Sequence, residues 1–75
     1  MKIYGNKSFS IFIHESDHPP PHCHVRFADE TVVCVSIPFI EPMYGTTISH
    51  KVRNIIEEYM DDITDAWDKF HPKRI

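Results

Sequence analysis

The stretch Asp17-His18-Pro19-Pro20-Pro21-His22-Cys23-His24-Val25 concentrates three of the chain's six histidines and three of its six prolines. Imidazole ligates metals, moves protons near neutral pH and donates hydrogen bonds, so this composition opens three chemistries. The first is metal binding. His22 and His24 stand two apart, and on a strand that spacing projects both rings from one face toward a shared ion. Zinc is the cofactor such a pair would take, with a third ligand from His18, Asp17, His14 or Cys34. An all-trans triproline in polyproline II advances about 3.1 Å per residue and would hold His18 about 12 Å from His22. A cis X-Pro bond or a turn would bring it closer.

The second chemistry is acid–base catalysis without a metal. His22 and His24 would act as general acid and base, and Arg26, on the same strand face, would hold a phosphate or stabilise developing negative charge. A small ribonuclease needs such a set, although the net charge of −3 works against RNA as a partner. The third reading is a binding surface. The prolines stiffen the connection, since they have little freedom to lose, and Asp17 can cap its turn. Asp17, His18, Pro20, Pro21, His22 and His24 would then shape a face for a protein partner. The residues by themselves leave open whether the protein is an enzyme.

The elements that must position these side chains follow from periodicity. In Lys7 to His14 the apolar residues Phe9, Ile11 and Ile13 alternate with Ser10, Phe12 and His14, the pattern of a half-buried strand. Lys2 to Tyr4 is expected as a short edge strand before a Gly5-Asn6 turn. A further strand spans His22 to Phe27, with Cys23, Val25 and Phe27 on one face and His22, His24 and Arg26 on the other. The next spans Thr31 to Ile37. A three-residue loop, Ala28-Asp29-Glu30, pairs Val25 with Val33 and Cys23 with Val35, which gathers the apolar residues on one face and sets Cys34 across from His24. A two-residue loop would pair Val25 with Cys34 instead, and a slip of one residue exchanges the two faces. Neither register suits a Cys23–Cys34 disulfide.

Pro38 and Pro42 bracket a segment read as irregular through Gly45. The period then changes: Ile48, Val52, Ile55, Ile56, Tyr59, Met60, Ile63, Trp67 and Phe70 recur at three- and four-residue spacing, which predicts one amphipathic helix over Ser49 to Phe70. At about 1.5 Å per residue it would reach about 33 Å, longer than the strands, so a bend is expected near Met60-Asp61. Glu57, Glu58, Asp61, Asp62, Asp65 and Asp68 form its solvated face. His14, His50 and His71 are scattered and read as solvated or locally bonded.

Seventy-five residues support a single domain, 1–75, with a small core that a dimer interface or a metal would reinforce. No signal-peptide core and no run of about 18 apolar residues appears, so no membrane contact is expected. Two cysteines without an export signal fit thiols in the cytoplasm. The expected fold class is α+β, a small antiparallel β-sheet of three to four strands packed on a C-terminal α-helix.

The segment DHPPPHCHV, its place after a first strand, the two strands that follow, and the terminal IIEEYMDDITDAWDKF together resemble the bacterial domain of unknown function 4160 family over most of residues 9–70. The family's D-H-x-P-P-H-x-H signature stands here as Asp17, His18, Pro20, Pro21, His22 and His24. Relatives commonly carry Gly in the hairpin where this chain has Ala28-Asp29, and Arg26 and Cys34 lie outside the signature. The resemblance implies a small bacterial α+β domain, encoded in many cases beside another small uncharacterised protein, with toxin–antitoxin labels on some members. It brings no activity. The resulting expectation is an intracellular interaction module, one component of a toxin–antitoxin-like pair, acting through the loop-strand junction on a protein partner. The alternative is a zinc-binding protein or a small ribonuclease that uses His22 and His24.

Overall fold

Alternating apolar residues build a meander. The computed structural model describes residues 1–15 and 19–71. Among them β1 (Lys2–Gly5), β2 (Phe9–Phe12), β3 (His22–Phe27), β4 (Val32–Ser36) and β5 (Glu41–Pro42) form one antiparallel sheet in the order β1-β2-β3-β4-β5. Phe9, Ile11, Cys23, Val25, Val33 and Val35 are buried on one face. Their sequence neighbours Ser10, Phe12, His22, His24, Cys34 and Ser36 are half-buried, and Arg26 and Val32 are exposed, because successive strand residues point to opposite faces. The Asn6 carboxamide accepts from the backbone N–H groups of Ser8 and Phe9 at 2.7 and 2.8 Å and so closes the β1–β2 turn.

The β3–β4 hairpin takes the three-residue loop. Val25 pairs with Val33, Cys23 with Val35 and His24 with Cys34. The Phe27 N–H donates to the Thr31 carbonyl at 2.8 Å, and the Glu30 N–H donates to the Phe27 carbonyl at 2.9 Å. Such a loop is a type I turn followed by a residue in the left-handed region, and Glu30 occupies that place with φ 72°. The Asp29 carboxylate accepts from the Thr31 backbone N–H at 3.0 Å, and this bond with that of the Thr31 side chain holds it below its ordinary value.

The sheet has five strands, not three to four. The added strand, β5, comes from the segment expected to be irregular, where Glu41 pairs with Ser36 and Pro42 with Val35. A two-residue strand carries no alternation to read, and its proline is tolerated because β5 is an edge. Before it, Ile40 adopts φ 56° with its side chain buried, and Arg53 donates to its carbonyl at 2.9 Å.

The 3.6-residue period yields two helices, α1 (His50–Glu58) and α2 (Met60–Phe70), rather than one. The Ser49 hydroxyl caps α1 by accepting from the Val52 N–H at 3.3 Å. The expected bend lies at Tyr59, just before Met60, where φ −101° and ψ 16° interrupt the helix. Bonds from Tyr59 to Ile55 and from Ile63 to Tyr59, at 3.0 and 2.9 Å, continue on either side, so the break is a kink. The Tyr59 ring packs 5.1 Å from Tyr4. Kinking lets both halves press on a sheet shorter than a straight rod: Val52, Ile56, Ile63, Ala66 and Trp67 join the strands' buried residues in one core. Among the described residues no helix is long and apolar enough to cross a membrane.

Candidate functional site

The helices cover one face of the sheet, and His14, His22, His24 and His71 gather on the other face and around its end. His24 sits mid-strand on β3, in register with Phe12 on β2 and Cys34 on β4. Its Nδ1 lies 3.6 Å from Cys34 Sγ. His14, two residues beyond β2, brings its ring 4.3 Å from that of His24, edge to face at 81°. His14 also lies nearly parallel to Phe12, at 14° and 6.3 Å.

His22 begins β3, and its ring is 5.1 Å from that of His24. Its Nδ1 is 2.9 Å from the Pro20 carbonyl oxygen. A carbonyl only accepts, so Nδ1 carries a proton and donates. On its other side His22 meets Trp67 of α2 at 5.5 Å, and Trp67 stacks on His71 at 3.9 Å and 15°. His71 Nδ1–H in turn donates to the Trp67 carbonyl at 3.2 Å. The result is a continuous row of rings, His14–His24–His22–Trp67–His71, from the open sheet face to the end of α2.

Beside the row lies a groove of about 390 Å³ lined by Phe12, His14, His24, Arg26, Glu30 and Val32. Its floor is mixed, with Phe12 and Val32 apolar and the two imidazoles polar. Arg26 and Glu30 approach to 3.4 Å, but their side chains are 55% and 81% exposed, so solvent screens the pair and leaves Arg26 available to a ligand.

Of the site residues expected from sequence, His22, His24 and Arg26 share the strand face as anticipated, with Cys34 directly opposite His24. Cys23 points into the core, where burial pushes its thiol up to about 12. Both cysteines are thiols. Pro20 is exposed, and Pro21 is tied to the end of β4 by an Ile37 N–H bond of 3.0 Å. The Pro19–Pro20 bond is cis, so the triproline is not the uniform polyproline II segment used to place His18. Asp17 and His18 lie outside the described residues.

Two histidines read as scattered belong to the row. His14 was legible as a same-face neighbour of Phe12, one alternation beyond the strand. His71 was legible only as a residue four after Trp67, which places it over that ring on a helix but says nothing of His22. Among the described residues no group of three His, Cys, Asp or Glu side chains could hold a metal ion. The zinc set expected from the sequence therefore lacks a third ligand within them. The pair expected to act as general acid and base, His22 and His24, stands with ring centroids 5.1 Å apart on the strand face that also carries Arg26.

A family model described as Domain of unknown function (DUF4160) matches residues 8–68. No curated protein and no solved structure matches the chain.

Proposed function

The chain belongs to the DUF4160 family, and we propose that it is a binding module whose working surface is the ring row and adjoining groove on the open side of its sheet. The observation that carries this reading is the row itself. Four histidines from the end of β2, from β3 and from just beyond α2 form a row with Trp67, whose ring belongs to the core, while among the described residues no histidine is itself buried in that core. Imidazoles combine apolar faces with polar edges and so suit an interface, and the buried Trp67 ring backs them from the core.

Charge distinguishes the open face from the helices. Glu57, Glu58, Asp61, Asp62, Asp65 and Asp68 are all exposed on the helices, away from the open face. That face carries Arg26 and the imidazoles beside two carboxylates, Glu30 and Glu41, so its charge is mixed where the helices are acidic. A partner with carboxylates opposite Arg26 and rings against the row satisfies both features. The family resemblance suggests the product of an adjacent gene as that partner, in a toxin–antitoxin-like pairing. Two reduced thiols fit a cytoplasmic setting.

The test is calorimetric titration of the purified neighbouring gene product into the wild-type chain and into a His22→Ala/His24→Ala variant whose circular dichroism is unchanged. Losing two central anchors costs about 2 kcal/mol or more, at least about thirtyfold in affinity. Equal affinity for both chains, or no heat with the wild type, sinks the proposal.

A further inference from the structure

We infer that Cys34 and His24 form a base-assisted thiol that exchanges with small anionic disulfides, making Cys34 a site of reversible thiolation. This inference stands apart from the binding reading and survives its failure. Three features carry it. The Sγ–Nδ1 separation of 3.6 Å is within reach of a thiol–imidazole hydrogen bond and is imposed by strand pairing, since Cys34 and His24 are direct cross-strand partners. Cys34 is only half-buried, whereas Cys23 lies on the opposite face at 0% exposure. The groove that His24 lines supplies a seat next to the thiol: Phe12 and Val32 for apolar substituents, Arg26 and His14 for carboxylates.

The step balances without a further reagent. The Cys34 thiol passes its proton to His24 Nδ1, and the thiolate attacks one sulfur of the small disulfide. A new bond forms between Cys34 Sγ and that sulfur as the original sulfur–sulfur bond breaks. The departing thiolate takes the proton from His24 and leaves as a thiol. The protein thiol is oxidised to a mixed disulfide, and one half of the small disulfide is reduced. An adduct lying in the groove would occupy the surface assigned to the partner.

Charged groups of both signs stand around Cys34 among the described residues. Arg26 and, when protonated, His14, His22 and His24 stabilise a thiolate on this face. Glu30 in the hairpin and Glu41 on β5 oppose it, and Cys23 lies through the sheet.

The full chain is treated with Ellman's disulfide, an anionic aromatic disulfide, across pH 5 to 9, and the released thiolate is followed. One equivalent is expected from native protein and none from Cys34→Ser. The midpoint of the rate–pH profile is expected at least about one unit below the ordinary thiol value of about 8.5. It should return toward that value in His24→Gln. Arg26→Gln should slow Ellman's disulfide at least about threefold without slowing iodoacetamide, which is uncharged. An ordinary midpoint in the wild type overturns the inference even if His24→Gln fails to fold. So does an unchanged profile in a folded His24→Gln, or labelling of Cys34 only on denaturation.

Discussion

Replacing Glu30 by glycine should stabilise the protein, and the size of the gain tests the hairpin that sets His24 against Cys34. Glu30 holds φ 72° as the last residue of the three-residue loop. An L-residue in that region costs about 1–2 kcal/mol, because Cβ crowds the following carbonyl. Glycine removes this cost but adds about 0.5–1 kcal/mol of chain entropy lost on folding. The substitution also deletes the Arg26–Glu30 pair, which at 3.4 Å and high exposure contributes at most about 0.5 kcal/mol. The net expectation for Glu30→Gly is a gain of about 0.5 kcal/mol, or about 2–4 °C in Tm for a chain of this length. Glu30→Ala keeps the strain and loses the pair, so it should be no more stable than the wild type. Urea unfolding followed by circular dichroism measures both, and the gap between the glycine and alanine variants should approach 1 kcal/mol. An alanine variant as stable as the glycine one would refute the left-handed position at residue 30. The register built on it would fall as well.

Two further expectations rest on the core and its supports. Burial pushes the Cys23 thiol from 9.0 up to about 12 in the folded protein, so between these values the unfolded chain has lost a proton that the native state keeps. Its contribution to stability is intact below pH 9 and falls by up to about 1.4 kcal/mol per pH unit above it. Urea midpoints of the wild type should therefore drop faster from pH 9 to 10.5 than those of Cys23→Ala; parallel slopes would contradict the burial argument. Arg53→Ala should cost about 1–3 kcal/mol, because its charged hydrogen bond to the Ile40 carbonyl ties α1 to the strained end of the β4–β5 connection. A loss below about 0.5 kcal/mol in urea unfolding would show that Ile40 holds its conformation without it.

Much of the fold was legible because it is written in periods. Alternation of two assigned Phe9, Ile11, Cys23, Val25, Val33 and Val35 to one face before any pairing was known, and the structure buries all six. Of the two hairpin registers open in the sequence, the structure takes the three-residue loop, which was favoured because it places those residues together. The helical period located Val52, Ile56, Ile63 and Trp67 in the core. Two features escaped: strand β5 is too short to show a pattern, and the left-handed turn at Ile40 is held by Arg53 from α1. The bend expected from the helix's length near Met60-Asp61 stands at Tyr59.

The candidate site divides along the same line. Local spacing alone determined that His22, His24 and Arg26 share a face, because side chains two apart on a strand point the same way. The pairing of β3 with β4, specified by the apolar pattern, added Cys34. That His14 touches His24, and that Trp67 and His71 continue the row from α2, was decided only by tertiary packing. The helix meets the end of the sheet through contacts more than forty residues apart in sequence. Their geometry depends on where the helix kinks and how it lies on the core, and no local period carries that information.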